Sequence, residues 1–228
     1  MGEYVLKASN KGFIGLSFCN AGPNVAPYGA KTRLFGTNPI SCAVPVKNGK
    51  PILVDLATSI YPEGKVKAFR NRGEALPNDI VLDKKGNPSN DPNDLYDDGA
   101  LLPITEYKGA ALSFMVEVLG GILTGAGSAA LPDWPGGNGV LFIVIDPTIS
   151  RNYEEFTDDI ARIKKAVKSQ PCAAGFEEIL VPGEPEYKSE VDRRKNGIPI
   201  DEGTWIKICT IAENYGIEIP EPIRNKSI

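Results

Sequence analysis

The apolar run Val-Leu-Phe-Ile-Val-Ile at 140–145 is the feature that most constrains the fold of this chain. The run is too short for an ordinary helix, and Asp146 and Pro147 follow it directly. A strand without polar positions is typical of a sheet that is covered on both faces. The sequence therefore predicts that this run is a central strand.

Other strands are expected at 12–18, 40–46, 51–56 and 178–181. The first three segments are short, rich in β-branched or aromatic residues, and bounded by Gly, Pro and Asn. Because proline has no N–H for a ladder, Pro45 favours an edge or bulged position for the second of them.

Helical spacing of apolar residues appears at 108–124, and further helices are predicted at 150–169, 184–195 and 201–215. Gly120 and Gly121 would each cost the first of these helices about 1 kcal/mol relative to alanine, which is tolerable if another backbone packs closely there. Strands and helices alternate without a regular βαβ rhythm. In contrast, 71–99 is dominated by turn residues, which predicts an ordered surface excursion or a mobile loop.

Composition excludes several classes of function. The 228 residues, of which 42% are hydrophobic and 24% charged, are ordinary for a soluble globular protein with one large domain, or one domain plus a packed tail. A net charge of -4 without a basic stripe disfavours a nucleic-acid partner. No apolar stretch approaches the roughly 20 residues of a membrane span, and the first residues lack the features of a leader, so we expect a cytoplasmic protein without a membrane partner.

Two common kinds of catalytic chemistry have no candidate residues here. The chain contains no histidine, the commonest general acid or base at neutral pH. Its four cysteines include no C-x-x-C pair, so we expect reduced thiols and no metal site.

Nucleotide-binding fingerprints are also absent from the sequence. The glycines between 120 and 127 lie at the C-terminal end of a predicted helix, where the helix dipole disfavours a pyrophosphate. Neither a Rossmann fingerprint nor a P-loop occurs. The residues alone therefore indicate only Gly- and Pro-rich loops that punctuate strands, with polar side chains able to face a ligand.

Five ordered segments carry a resemblance to a known family. They are GLSFCNAGPNVAPYGAKTRLFGTNPISCAVP, ILVDLATS, LDKKGNPSNDP, GALLPITEYKGAALSFMVEVLGGILTGA and ILVPGEPE. Their order and spacing resemble the malate/L-lactate dehydrogenase family, which includes ureidoglycolate and sulfolactate dehydrogenases and piperideine-2-carboxylate reductases. The resemblance implies an α/β, mixed-sheet, non-Rossmann fold that binds NAD or NADP. It also implies a homodimer that transfers hydride between the nicotinamide and a 2-hydroxy acid, or a related 2-oxo or imino acid.

The resemblance divides the chain into two regions and predicts a missing part. Residues 1–146 would form the cofactor-binding α/β domain, with 71–99 as its excursion, and 147–228 would pack a strand and helices on the same core. The first residues resemble those that follow the family's catalytic histidine, so the N-terminal helical part is expected to be missing. A split gene, a truncated gene and a fragment remain open as explanations.

Site residues are carried over position by position from the matching motifs. Those expected to bind the cofactor are Asn20, Ala21, Asp55, Leu56, Ala57, Lys108, Gly183, Glu184, Pro185 and Glu186. Those expected to border the substrate are Thr37, Glu63 and Gly64, with Glu63 standing where several family members have arginine. No catalytic residue is predicted within the chain. The alternative hypothesis is a catalytically silent, truncated module that binds or dimerises.

Overall fold

The computed structural model describes residues 1–222. Its longer elements are, in chain order, α1 (Gly2–Ser9), β1 (Ile14–Cys19), β2 (Ile40–Val44), β3 (Ile52–Leu56), α2 (Glu63–Arg72), α3 (Tyr107–Val116), β7 (Val140–Ile145), α4 (Tyr153–Lys168), α5 (Glu184–Asn196) and α6 (Glu202–Asn214). Three two-residue strands lie between α2 and α3, namely β4 (Val81–Leu82), β5 (Pro88–Ser89) and β6 (Ala100–Leu101). A π-helical segment, Glu117–Ile122, continues α3. No helix in residues 1–222 has the length and apolarity needed to cross a bilayer.

The larger sheet has four antiparallel strands in the order β3-β2-β1-β7. Helix α1 packs on this sheet and places Val5 against Ala43 and Leu53. Gly15 permits the close approach, because a Cβ there would come within 2.9 Å of the Val5 carbonyl oxygen. The predicted α/β class and non-Rossmann fold are confirmed, with antiparallel ladders in both sheets.

Two predicted strand positions are wrong. Strand β2 lies between β1 and β3, because it ends at Val44 and Pro45 therefore removes no N–H from its ladder. Within residues 1–222, strand β7 pairs with β1 alone, and its side chains are largely exposed, including Val144 at 59%. An apolar run predicts that another structural element buries the side chains of the strand. It does not show that this element belongs to the same chain.

The region expected to be a surface excursion contains part of the core. Within 71–99 lie β4, β5 and four members of the largest buried apolar cluster: Leu76, Ile80, Val81 and Leu95. Val25, Val66 and Leu101 complete this cluster from outside the region. Isolated apolar residues among turn residues therefore anchor a small second sheet, of order β5-β4-β6.

Most predicted helices are confirmed, with differences at some boundaries. The glycines of the π-helical segment meet backbone as expected, because a Cβ on Gly120 would come within 2.9 Å of the Phe18 carbonyl oxygen. Helices α1 and α2 were not predicted, and 178–181 forms no strand. The two-region division stays a prediction, and residues 223–228 of its second region lie outside the described residues.

Candidate functional site

A buried carboxylate joins two loops to helix α3. Glu117 is 3% exposed, and its two carboxylate oxygens accept hydrogen bonds from Asn20 Nδ2 at 3.2 Å and Asn38 Nδ2 at 2.8 Å. Asn38 Nδ2 also donates to Ser113 Oγ at 2.9 Å. We call these four residues the Glu117 junction. It ties the turn after β1 and the turn before β2 to one helical face.

Asn20 acts as a bridge between backbone segments. Its Nδ2 also donates to the Gly127 carbonyl at 2.9 Å, and its Oδ1 accepts from the Gly139 N–H at 2.7 Å. The side chain is 0% exposed. The observed contacts of Asn20 are with other residues of this chain, and its role in cofactor binding stays a prediction.

The junction extends through hydrogen bonds to two further loops, those that contain Thr58 and Ile104. Asn38 Oδ1 accepts from the Ala21 N–H at 3.1 Å, while the Asn38 carbonyl accepts from Thr58 Oγ1 at 3.1 Å. The Thr58 N–H donates to the Thr37 carbonyl at 2.9 Å, and the Thr58 carbonyl accepts from the Ile104 N–H at 2.8 Å. Ala21, Thr37 and the turn before α3 are therefore brought together.

Lys108 lies in the first turn of α3, immediately after a strained turn. Thr105 and Glu106 have φ values of 47° and 59°, which are unfavourable for residues with a Cβ. Lys108 is exposed and forms no ion pair with any residue in 1–222. A cation at this end of a helix is unfavourable for helix stability and is well placed to bind an anion.

The end of β3 exposes part of the segment predicted to line the cofactor. Asp55 accepts a hydrogen bond from the Ser41 hydroxyl and one of 2.8 Å from the Gly2 N–H, so its carboxylate caps α1. Leu56 is exposed and Ala57 is half-buried. Leu56 and Ala57 are free of these capping contacts and lead directly into Thr58.

Glu63 and Gly64 open helix α2, and within residues 1–222 no hydrogen bond joins either of them directly to the Glu117 junction. The Tyr96 hydroxyl donates to Glu63 Oε1 at 2.7 Å. Burial of the phenol and this bond to a carboxylate both raise the pKa of Tyr96. Glu63 thus has a partner within the chain, whereas a Cβ on Gly64 would meet nothing within 4 Å.

The segment 183–186 packs against the edge of β3 that does not pair with β2. The Leu53 N–H donates to the Pro182 carbonyl at 3.2 Å, and Gly183 contacts Leu53 closely at a φ of 94°. Ion pairs with Lys168 and Lys164 fix Glu184, and the hydrogen bond from Lys168 makes the largest contribution to lowering its pKa to about 2. Pro185 and Glu186 are exposed. This segment is placed by β3 and α4.

Sequence analysis missed the residues that organise the site. Asn38, Thr58, Ser113 and Glu117 were not predicted, although each makes a bond that holds two elements together. One signal was present: Glu117 interrupts an apolar helical stretch, and Ser113 lies four residues before it on the same helical face.

Comparison with known proteins places this arrangement in a family. The family model for malate/L-lactate dehydrogenase matches residues 1–209. The malate dehydrogenase of Pyrococcus horikoshii is 35% identical over 95% of this chain, which spans 63% of that relative's length.

Another relative and a solved structure support the same family assignment. The Δ1-pyrroline-2-carboxylate/Δ1-piperideine-2-carboxylate reductase of Pseudomonas syringae pv. tomato is 36% identical over 90% of the chain and 60% of its own length. The crystal structure of malate dehydrogenase from Entamoeba histolytica superimposes with a TM-score of 0.88 at 26% identity, covering 96% of this chain and 66% of that one. The chain belongs to the malate/L-lactate dehydrogenase family.

Proposed function

We propose that this chain forms the cofactor-binding part of an NAD(P)-dependent dehydrogenase that acts on a 2-hydroxy acid or a related 2-oxo or imino acid. The Glu117 junction carries the proposal, because it places Ala21, Thr37 and the Lys108 turn around one region of the surface. Family membership supports a nicotinamide cofactor.

The residues in this region fit a dinucleotide. Lys108 offers an exposed cation, without an ion pair among residues 1–222, for the diphosphate, and Leu56 and Ala57, which lead into Thr58, offer apolar surface for a sugar or base. The carboxylate of Asp55 keeps partial exposure, at 34% of its side chain, through which it can accept a ribose hydroxyl. The nucleotide would also be bordered by the segment along the edge of β3, that is, by Gly183, Glu184, Pro185 and Glu186.

The substrate is proposed to lie next to Thr37. Its carbonyl is bound to Thr58, and its half-buried side chain follows the turn that Asn38 fixes. Glu63 and Gly64 remain proposed neighbours of the substrate at the start of α2.

The bound nicotinamide would supply the hydride, and the residues of this chain would bind and orient the reactants. The chain has no histidine to move the accompanying proton. We propose that a histidine on further polypeptide does so, since the curated relatives are longer than this chain, and that the chain alone binds cofactor without turnover.

Titration with NADH tests the cofactor site directly. We expect a saturable change in NADH fluorescence, and a roughly tenfold rise in Kd for Lys108→Gln, because one charge-assisted contact with the diphosphate is lost. Lys11→Gln is the matched control, since Lys11 is also exposed and unpaired among the described residues but lies at the end of α1. No saturable signal, or equal effects of the two variants, would contradict the proposed site.

A second candidate function is supported by the exposed edge of the sheet. Strand β7 presents a free backbone edge together with exposed Phe142, Ile143 and Val144. Exposed apolar edges of this kind are typical of assembly surfaces. The chain would then act as a self-associating binding module, with or without bound nucleotide.

Light scattering coupled to size exclusion tests this assembly. We expect the unmodified chain to elute as a dimer and Val144→Lys as a monomer, because a charge on an edge strand opposes edge pairing. Val191→Lys on α5 is the control, since Val191 is similarly exposed at 68%. A monomeric parent chain, or a dimer that Val144→Lys leaves intact, would rule out association through β7.

A further inference from the structure

A cleft lies beside the turn that precedes α3. Its volume is about 610 Å³, and it is formed between the loop 27–31 and the segment 102–106. Ile60, Leu82, Leu102 and Pro103 give it apolar walls. None of these residues belongs to the proposed cofactor site. We call it the Tyr28 cleft.

Two opposite charges line the Tyr28 cleft without neutralising each other. Lys31 comes from the loop, and Glu106 comes from the strained turn. Both are exposed, and neither forms an ion pair with the other or with any other residue of 1–222. The stem of Lys31 is held against Gly86, where an added Cβ would come within 2.7 Å of Lys31 Cβ. The lysine is thus anchored at the cleft while its ammonium remains free.

Two tyrosines hold the sides of the cleft close together. The ring centroids of Tyr28 and Tyr107 are 6.3 Å apart in an edge-to-face arrangement, although each side chain is 59% exposed. Tyr28 lies three residues before Lys31, and Tyr107 directly follows Glu106. The ring pair therefore brings the two charged segments face to face, and aromatic faces themselves attract cations.

We propose that the Tyr28 cleft binds a small zwitterion with a hydrocarbon body, that is, an amino acid. Lys31 binds the carboxylate, Glu106 binds the ammonium group, and the apolar walls contact the hydrocarbon body. A simple anion is disfavoured by Glu106, and a simple cation is disfavoured by Lys31. The proposal goes beyond the dehydrogenase function and does not rest on it, because Lys31, Tyr28 and the apolar wall residues lie outside the proposed cofactor site, and only the turn at Thr105 and Glu106 borders both.

Nuclear magnetic resonance titration of the full chain without cofactor tests the proposal. The probe is L-leucine, compared with 4-methylpentanoate, which lacks the ammonium, and 3-methylbutylamine, which lacks the carboxylate. We expect L-leucine to shift the backbone amides of Gly29, Ala30 and Thr105, and each analogue to bind at least about tenfold more weakly.

Variants test whether the two charged residues of the cleft bind L-leucine. Lys31→Gln and Glu106→Gln are each expected to weaken L-leucine binding about tenfold. Lys11→Gln and Glu213→Gln, which change exposed residues elsewhere, should leave it unchanged. The amide spectrum of each variant verifies its fold in the same experiment.

Several results would overturn the proposal. These are an absence of shifts with L-leucine up to about 10 mM, an analogue that binds as tightly as L-leucine, or L-leucine binding that neither cleft variant weakens. NADH binding is measured separately, so that failure of the zwitterion site remains distinct from failure of the cofactor site.

Discussion

Replacing Glu117 by alanine is expected to lower the free energy of unfolding by about 3 kcal/mol. The carboxylate accepts two charge-assisted hydrogen bonds in a site where it is 3% exposed. Such bonds contribute about 1.5–3 kcal/mol each. Asn20 keeps one other acceptor and Asn38 keeps two, which limits the loss to the bonds with Glu117. Equilibrium unfolding in urea measures this change.

Two comparison variants distinguish the loss of the Glu117 hydrogen bonds from the general effect of removing a glutamate side chain. Glu213→Ala on α6 removes the same atoms from an exposed position and should change the stability by less than about 0.5 kcal/mol. Glu117→Gln keeps the shape but points an amide donor at a neighbouring donor, so we expect an intermediate loss. A Glu117→Ala variant as stable as the parent would show that the two loops are held by other contacts.

The parts of the fold that depend on local pattern could be predicted from the sequence. The content of β-branched and aromatic residues and the flanking turn residues predicted β1, β2 and β3, and helical periodicity predicted α3 and α4. The edge position of β7 could not be predicted in this way, because the elements that cover a strand lie far along the chain or outside it. Helix α1 was not predicted because the packing of its apolar side chains on the sheet is a tertiary contact, which the local sequence does not show.

In the candidate site, too, only part of the arrangement could be predicted from the sequence. The motif positions were predicted from resemblance, but the residues that hold them in place were not. Glu117 and Asn38 are 79 positions apart in the sequence, so no local pattern predicts that a buried carboxylate will accept hydrogen bonds from two amides. Buried polar partners are set by the tertiary structure, whereas strand and helix patterns are set by neighbours in the sequence.

Substituting alanine for glycine at positions 109 and 64 is expected to have opposite effects. Both glycines lie in helices, where alanine is favoured by up to about 1 kcal/mol. A Cβ on Gly64 would meet nothing within 4 Å, so Gly64→Ala should stabilise the protein by this amount or less. A Cβ on Gly109 would lie 2.1 Å from the Ile104 carbonyl oxygen and 2.7 Å from its nitrogen. Gly109→Ala should therefore cost about 2 kcal/mol in the free energy of unfolding.

The position of this clash links stability to binding. Relief of the clash requires α3 to move away from Ile104, whose N–H bonds to Thr58 and connects the helix to the Thr37 turn. Lys108 moves with the first turn of α3, so Gly109→Ala should also weaken NADH binding, while Gly64→Ala should leave it unchanged. Urea unfolding and NADH titration of the same two variants measure both effects. If Gly109→Ala lost stability but bound NADH normally, the close contact with Ile104 would support the fold without positioning Lys108.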